Sequence, residues 1–483
     1  MENKVRYYLN EEGEFVIENY NLAKPFASFF PGIAGIWGIP IWVFYVNRAQ
    51  GIASFGIKDK DHPIMEFLPA NKSYQQASLL GFRTFIKVHR GKKVIFYEAF
   101  HNGAGALGCK TENKMLITSS ALKLSEINHT LGIKVEVEYF PVPNDDFGAL
   151  ARKVTVINLK SGSQALEILD GLPKIIPYGL NNMFLKELPR TIEAWMGVEN
   201  LEKSVPFIRT KVDPSDKPEV THIKGGNFYL TFDGKGLIKP IVDPDEIFGA
   251  INDFTYPKVF LDKAKFGYPA HQLTGGKTPC CMCHRKFVLR KSNGLTLYSL
   301  IGNMSSLKKL NDNIKRLANK QYFLNIEEGN KKVISALQDN AFVHSSSKSF
   351  DLYCRQNFLD NLMRGGYPQH LKYFDKELHI QVFSRKHGDL ERDYNKFLLE
   401  PNFWSQGNGN FRDVNQNRRS DIWFVPTLKD EGIVNIFGLI QSDGYNPLVI
   451  KPDTFVFDKD LKAFDKYYRL SEVERDKLKV ILE

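Results

Sequence analysis

Strand-like patterns run through the first 300 residues, and they limit most strongly what the chain can fold into. Ile133–Tyr139 and Lys153–Leu159 alternate apolar and polar side chains, which is the period of a strand with one buried face. Further candidate strands are Ile41–Val46, Phe85–Val88, Val94–Tyr97, Leu166–Leu169, Phe228–Phe232 and Leu295–Leu300. Many short strands with few helical patterns between them predict a large antiparallel β-sandwich over residues 1–302.

The periodicity changes near residue 304 from that of strands to that of helices. The first predicted helix has its apolar residues on one face, at Leu307, Leu310, Ile314 and Leu317. A second helix is predicted from about Glu327 to Asp339. A third begins in the Ser345–Ser347 cluster and ends at Gly365–Gly366, with an apolar stripe at Phe350, Cys354, Phe358 and Leu362. We predict a helical linker over residues 303–345 and a domain of helices and long loops over residues 346–483.

The stretch from Pro25 to Asn47 contains no charged residue and is long enough to cross a bilayer. It also contains Pro31, Pro40 and several glycines, which interrupt helices. We therefore predict a Gly-rich aromatic turn that leads into the buried strand Ile41–Val46, with a membrane span as the alternative.

The charge pattern bears on which partners the chain can bind. Lys and Arg exceed Asp and Glu by ten among 483 residues, a balance that permits anionic partners. The basic residues are dispersed, and no block of five or more like charges occurs. We predict a solvated basic surface, with no nucleic-acid and no membrane partner.

Five cysteines in this length are sparse and odd in number, which is typical of a reduced protein. The first twenty residues lack the apolar run of a signal peptide, so we predict a cytoplasmic location. The densest cysteine group is Cys280-Cys281-Met282-Cys283-His284. A strand sends alternate side chains to opposite faces, and a closed zinc site needs four ligands. We therefore predict buried structural cysteines, no metal site and no organic cofactor.

Polar and aromatic residues are concentrated between residues 384 and 421. Arg, Asp, Asn and Gln offer the planar donors and acceptors that grip neighbouring sugar hydroxyls, and Trp404 and Phe411 can face the apolar side of a sugar ring. The arginines that could hold an anion such as phosphate are Arg385, Arg412, Arg418 and Arg419. A polar loop with ion pairs is the alternative interpretation.

Within this cluster, the run from Asn410 to Gln416, NFRDVNQ, resembles the YRD-x-NQ segment of the cellobiose-phosphorylase family, the inverting glycoside phosphorylases of the family 94 type. Four further segments resemble the related long β-1,3- and β-1,2-oligoglucan phosphorylases. They begin at Phe29 (FFPGIAGIWGIPIWVFYVNRAQ), Leu166 (LEILDGLPKIIPYGL), Arg355 (RQNFLDNLMRGGYP) and Phe383 (FSRKHGDLERDYNKF). The resemblance covers most of residues 14–426.

The resemblance implies an N-terminal antiparallel β-supersandwich, a helical linker and an (α/α)6 barrel. It also implies that inorganic phosphate attacks the anomeric carbon of a β-glucooligosaccharide and gives glucose 1-phosphate with inversion. Arg412 and Asp413 would grip the non-reducing glucose, with Asn415 and Gln416 in support. Asn417 stands where familiar members have an acidic residue.

In the family the general acid lies well downstream of this motif, and only 70 residues follow Asp413. We therefore expect the acid beyond residue 483, an incomplete barrel, and an inactive isolated chain. Family members commonly form dimers, and the apolar stretch from Phe29 to Val46 could supply a homodimer surface.

Two other functions stay open. One is an inverting glycoside hydrolase on the same barrel, which needs two carboxylates. Its candidate carboxylates are Asp389, Glu391, Asp393, Asp413 and Asp421. The other is a non-catalytic carbohydrate-binding protein, because the general acid is missing.

Overall fold

A computed structural model gives the fold and describes residues 4–101, 103, 108–215, 217–263, 265–373, 376–385, 397–454 and 471–472. The strands of the first 304 residues are β1 (Arg6–Leu9), β2 (Phe15–Glu18), β3 (Ala27–Phe30), β4 (Trp42–Val46), β5 (Ile52–Gly56), β6 (Pro63–Met65), β7 (Arg83–Arg90), β8 (Lys93–Glu98), β9 (Thr111–Ile117), β10 (Leu122–Asn128), β11 (Ile133–Pro141), β12 (Gly148–Asn158), β13 (Gln164–Leu172), β14 (Met196–Glu199), β15 (Phe207–Thr210), β16 (Gly226–Asp233), β17 (Gly236–Leu237), β18 (Cys281–Leu289) and β19 (Gly294–Met304). Each strand predicted from the sequence overlaps one of these, so those predictions are confirmed.

The strands form three antiparallel sheets within the described part of this region. The main sheet has the order β1-β2-β9-β10-β11-β12-β19-β16-β15-β14, with β17 paired to β16. The two smaller sheets have the orders β18-β13-β7-β8 and β3-β4-β5-β6. Burial alternates along β10 and β11, because one face of the main sheet packs on a core shared with the smaller sheets.

Part of the main sheet is buried on both faces. There, helices pack against the face opposite the core that it shares with the smaller sheets. The helices up to this point in the chain are α1 (Ala70–Leu80), α2 (Asn182–Glu187), α3 (Asp245–Phe248), α4 (Lys258–Asp262), α5 (Leu307–Leu317) and α6 (Lys320–Gln338). Every residue of β16 is buried, because Leu310 of α5 and Phe323 of α6 pack against its outer face. This packing explains why burial along β16 is continuous and does not alternate.

The first predicted helix is confirmed as α5, and the Ser306 hydroxyl caps it by accepting a hydrogen bond from the Lys309 N–H at 3.2 Å. The predicted start of the second helix near Glu327 is wrong. Helix α6 begins seven residues earlier, at Lys320. The Asn319 side chain accepts hydrogen bonds from two backbone N–H groups there, and such a cap fixes the first turn.

The third predicted helix is confirmed as α7 (Lys348–Gly365), with Ser347 as its N-cap. Its buried face differs from the predicted stripe. Leu359, Leu362 and Met363 are buried, whereas Phe350 is 51% exposed. The helix therefore packs through its C-terminal half.

A β-hairpin follows α7, where we predict only helices and loops. Its strands are β20 (Tyr367–Tyr373) and β21 (Lys376–Val382). The later elements are β22 (Gly409–Asn410), α8 (Phe411–Arg418), α9 (Asp421–Phe424), α10 (Glu431–Gly438) and β23 (Val449–Ile450), and β22 pairs with β23. The supersandwich, the incomplete (α/α)6 barrel and the domain boundaries at residues 302 and 345 stay predictions.

The uncharged stretch forms β3, a turn and the fully buried β4, so the predicted buried strand is confirmed. No helix in the described ranges combines the length and apolar character needed to cross a membrane. The stretch is a poor dimer surface, because Phe30, Ile33 and Trp42 are buried inside the chain and only Trp37 is well exposed, at 58%. The stretch on which the homodimer prediction rests is therefore mostly inside the chain, and the homodimer itself stays a prediction.

Residues up to Ile450 form one compact unit, and residues from Lys451 form a second, small unit.

Cys280 and Met282 pack in one core, whereas Cys281 and Cys283 pack in another, on the opposite face of the strand. The cysteines are therefore buried structural residues, as predicted from their alternation.

Candidate functional site

The motif that resembles the phosphorylase segment begins helix α8. Asn410 ends β22, and its Oδ1 accepts a hydrogen bond from the backbone N–H of Arg412 at 3.1 Å. This cap satisfies a donor that the first turn of a helix leaves unpaired. The motif residues are therefore held on helix α8, and the ion pair that the alternative interpretation includes is present between Arg412 and Asp413.

Arg412 and Asp413 lie side by side at the start of α8. Both Nε and Nη2 of Arg412 donate to Oδ1 of Asp413 at 3.0 Å. The side chain of Arg412 is 83% exposed and that of Asp413 is 24% exposed. An exposed ion pair contributes only about 0–1 kcal/mol to stability, so these groups can exchange their mutual contact for a ligand at little cost.

The other motif residues divide between the outside and the inside of α8. Gln416 is exposed and shares the face of Arg412, because residues four apart lie on the same side of a helix. Asn417 instead donates from Nδ2 to the backbone oxygen of Asp413 at 2.6 Å. Asn415 has a buried Oδ1 with no hydrogen-bond partner among the described residues. The accessible group is therefore Arg412, Asp413 and Gln416.

The structure places Trp404 apart from this group. Its backbone N–H donates to the oxygen of Ile36 at 3.1 Å, and its ring packs edge-on to Trp37 at a centroid distance of 5.3 Å. Within the described ranges, no hydrogen bond or ring contact joins Trp404 to α8. The neighbouring aromatic faces open to solvent are Trp37, 58% exposed, and Phe403, 42% exposed. Sequence reasoning missed both, although Trp37 stands out in its Gly-rich turn.

Arg385, one of the four arginines predicted to hold an anion, is buried inside the protein. Its residue is only 3% exposed, and its guanidinium carbon lies 4.1 Å from the centroid of the Phe29 ring. Its Nε and Nη1 are buried without a hydrogen-bond partner in the part of the chain that the structure describes. Burial lowers its pKa to about 9, although the nearby Asp360 carboxylate opposes this shift.

The four predicted anion-binding arginines have different surroundings. Arg412 contacts Asp413, Arg418 donates from Nε to the backbone oxygen of Gly365 at 2.5 Å, and Arg419 is exposed. Of these four, Arg385 is the one whose Nε and Nη1 are both buried without a hydrogen-bond partner among the described residues.

Asp421, the first residue of α9, is a candidate carboxylate whose carboxyl group is partly buried and has a raised pKa. Its Oδ2 is buried and has no hydrogen-bond partner among the residues described. Burial raises its pKa to about 7, with Arg418 acting in the opposite direction. A carboxyl group of this kind is protonated in about half of the molecules at pH 7. Of the five candidate carboxylates, Asp389, Glu391 and Asp393 lie outside the described residues.

No protein-family model matches the chain, and no curated protein matches it in sequence. Solved structures do match. A bacterial glucoamylase complexed with acarbose is 10% identical, with 88% of this chain and 55% of that chain covered and a TM-score of 0.41. A family GH92 inverting mannosidase from Bacteroides thetaiotaomicron is 8% identical, with 74% and 41% covered and a TM-score of 0.32.

A further match is a protein from the human microbiome assigned as a kojibiose phosphorylase. It is 8% identical, with 72% of this chain and 32% of that chain covered and a TM-score of 0.25. This chain therefore spans between 32% and 55% of the lengths of these three proteins. The three are carbohydrate-active enzymes of the phosphorylase and glycosidase types.

Proposed function

We propose that the chain is the sugar-binding part of a glycoside phosphorylase that cleaves β-glucooligosaccharides with inorganic phosphate and releases glucose 1-phosphate with inversion. The observation that carries this proposal is the NFRDVNQ motif, whose exposed Arg412 and half-buried Asp413 lie side by side at the start of α8. These are the residues that grip glucose in the family that the sequence resembles.

The chemistry of the pair suits a sugar. The guanidinium of Arg412 offers planar N–H donors, and the carboxylate of Asp413 offers acceptors, so together they can bind two neighbouring hydroxyls through charge-assisted hydrogen bonds. Gln416, on the same face, adds an amide that can donate or accept. Holding the ring in one orientation is the catalytic contribution expected of such a site, because the anomeric carbon must line up with the nucleophile.

In this proposal phosphate is a co-substrate, and no metal or organic cofactor takes part. Phosphate is already anionic, so it needs cationic positioning and no general base. A general acid must still protonate the leaving oxygen, and we assign that role to no residue of this chain.

A second candidate function is inverting hydrolysis at the same site, and Asp421 is the observation that favours it. A carboxyl group with a pKa near 7 is protonated in about half of the molecules at pH 7, and a general acid must carry a proton. Hydrolysis differs from phosphorolysis because water replaces phosphate as the nucleophile.

The first experiment measures sugar binding by titration calorimetry with β-1,2-, β-1,3- and β-1,4-linked glucotetraoses. We expect at least one to bind, and Asp413→Ala to weaken its binding at least about tenfold, since a charged hydrogen bond contributes roughly 1.5–3 kcal/mol. Asp430→Ala is the matched control, because Asp430 is likewise a carboxylate at a helix start but is exposed and lies outside the motif.

The second experiment measures glucose 1-phosphate release in an active form of the enzyme. Asp413→Ala should lower kcat/KM at least about a hundredfold, or about 2.7 kcal/mol of transition-state stabilisation, with thermal unfolding unchanged. Near-normal kcat/KM in the folded variant would contradict the sugar contact. Sugar release that does not need phosphate would favour the hydrolase, and no binding of any glucan would exclude both functions for this chain.

A further inference from the structure

Two exposed aromatic rings meet on the surface where two loops join. Trp37 comes from the Gly-rich turn after β3, and Phe403 comes from the segment before β22. Their ring centroids lie 6.2 Å apart with the ring planes at 81°, and the ring of the half-buried Trp404 lies 5.3 Å from Trp37 at 85°. These three rings form the aromatic platform, in which Trp37 contacts both of the others.

The backbone of Trp37 is fixed at the tip of a tight turn. The Gly38 N–H donates to the backbone oxygen of Gly35 at 3.1 Å, so Trp37 is the third residue of a four-residue turn. A Cβ atom on Gly38 would lie only 1.9 Å from the backbone oxygen of Ala34, which leaves room for glycine alone. The turn therefore closes tightly and holds the large side chain of Trp37 outside it.

The loop that carries Phe403 is fixed as well. Trp404 has a φ of +57°, a backbone conformation that is costly for a bulky residue. Its N–H donates to the oxygen of Ile36 at 3.1 Å, which ties this loop to the turn of Trp37. The buried Ser405 follows, and its Oγ donates to the backbone oxygen of Glu400 at 2.6 Å. A strained backbone that holds exposed apolar rings is typical of a binding site.

The exposed surface of the two rings fits a small ligand better than a protein. Trp37 is 58% exposed and Phe403 is 42% exposed, so together they offer on the order of 200 Å² to solvent, given about 150–250 Å² for each such side chain. Most of the surface of a tryptophan belongs to its indole, so ring atoms are accessible. A stable protein interface needs about 800 Å² from each partner, whereas one sugar ring is about as large as one indole.

A β-linked glucose unit has the chemistry that such a platform binds. The ring substituents of β-glucopyranose are all equatorial, so its two faces carry only C–H groups. The face of an aromatic ring is electronegative and attracts C–H groups. Asn402, exposed beside Phe403, adds an amide that can bind a hydroxyl at the edge of the sugar. The platform thus combines an apolar face with a polar edge.

We propose that the aromatic platform binds β-glucan, with one glucose unit stacked on the ring of Trp37. This site is additional to the Arg412, Asp413 and Gln416 group on α8 and uses different residues. The choice of β-glucan as its ligand rests on the proposed function.

The test measures retardation of the whole chain by affinity electrophoresis in native gels that contain soluble β-1,2-glucan, β-1,3-glucan or mixed β-1,3/β-1,4-glucan. The α-glucan dextran is the polymer control. We expect at least one β-glucan to retard the chain and dextran to leave its mobility unchanged. No retardation by any β-glucan, or equal retardation by dextran, would overturn the proposal.

Substitutions of two exposed tryptophans locate the site. Trp37→Ala should raise the apparent Kd for the retarding glucan at least about tenfold, because it removes the larger exposed ring, and Trp37→Phe, which keeps an aromatic face, should stay within about threefold. Trp423→Ala is the matched control, because Trp423 is 81% exposed but lies on α9, outside the platform. Equal Kd values for Trp37→Ala and Trp423→Ala would contradict the proposal.

Phe403→Ala repeats the test from the other ring if thermal unfolding shows that Trp37→Ala does not fold, and it should weaken glucan binding at least about threefold. Sedimentation of the same variants tests a second copy of the chain as the occupant. Loss of self-association with unchanged glucan binding would mean that the platform joins two copies, and would overturn the assignment to a sugar.

Combining each variant with Asp413→Ala separates the platform from the site on α8. If Asp413→Ala weakens glucan binding and Trp37→Ala does not, the platform proposal is wrong and the proposed function stands. If Trp37→Ala weakens binding and Asp413→Ala does not, the platform binds glucan and the sugar contact on α8 is wrong.

Discussion

Arg152 and Arg385 are both buried, and each guanidinium lies over an aromatic ring, Phe82 at 4.7 Å for Arg152 and Phe29 at 4.1 Å for Arg385. Their in-plane contacts are opposite. Arg152 donates from Nη1 to Oδ2 of Asp170 at 2.6 Å and from Nη2 to Oε1 of Gln50 at 2.7 Å. Arg385 has buried donors without any partner in the described chain. Because of Asp170 the pKa of Arg152 is raised, whereas burial lowers that of Arg385.

The difference separates a buried charge that has a partner from a buried charge whose donors the described residues leave unsatisfied. Arg152 lies on β12 of the main sheet, and Asp170 lies on β13 of a smaller sheet, so their ion pair joins two sheets across the core. Nearly all buried polar groups in folded proteins have such a partner. Within the described residues, Nε and Nη1 of Arg385 lack such a partner, so its charge is not part of a comparable ion pair.

Breaking the satisfied pair should have the largest effect. We expect Arg152→Gln to lower the free energy of unfolding by about 3–5 kcal/mol, because it leaves the Asp170 carboxylate charged and buried without its cation. Urea unfolding followed by circular dichroism measures this. A loss below about 1 kcal/mol would show that Arg152 is no more necessary to the fold than a surface residue.

Removing the unsatisfied charge should have a smaller effect of the opposite sign. Arg385→Met keeps a long apolar side chain beside Phe29 and removes a buried charge that lacks a partner. In buffer without oxyanions we expect the free energy of unfolding to rise by about 1–2 kcal/mol. Destabilisation as large as that of Arg152→Gln would mean that Arg385 has a structural partner, and would end the distinction between the two arginines.

The sequence predicts the strands around Arg152 better than it predicts the surroundings of Arg385. Alternation of apolar and polar residues predicts β11 and β12 correctly, because a strand with one buried face has a local signature. It does not predict that Arg152 meets Asp170 on another sheet, since that contact depends on how the sheets pack. Residue type alone makes Arg385 a candidate for anion binding, whereas its burial against Phe29 of β3 depends on packing between residues that are far apart in the chain.

The candidate site shows the same limit, because the sequence predicts local patterns and not the contacts that depend on packing. Arg412 and Asp413 are adjacent in the chain and form an ion pair, but on the helix that begins at Phe411 the Oδ1 of Asn415 is buried. Which motif residues share a face depends on the helical period. An interpretation of this segment only as polar does not use that period. Trp404 was assigned from residue type alone, and the packing of its ring on Trp37 was not foreseeable from spacing.

A third buried charge tests the same distinction by pH. Asp421 also has a buried oxygen without a partner in the described ranges, but a carboxyl group, unlike arginine, can respond by taking up a proton. Its pKa is raised by burial from the ordinary value of 3.8 to about 7. Between these two pH values the folded state holds a proton that the unfolded state has released. The contribution of Asp421 to the free energy of unfolding therefore falls as the pH rises from about 4 to about 7, and levels off above that.

Asp421→Asn removes this titration, because the amide stays neutral throughout. We expect the stability of the variant relative to the natural sequence to increase by about 1 kcal/mol between pH 4.5 and pH 7.5, less than the full shift because part of the side chain is solvated. Urea unfolding at four pH values in this range measures the difference. Asp430→Asn, an exposed carboxylate, should give a curve parallel to that of the natural sequence. A parallel curve for Asp421→Asn as well would mean that Asp421 is ionised in the folded protein. A buried oxygen without a partner would then not identify a perturbed charge, and the contrast drawn between Arg152 and Arg385 would lose this support.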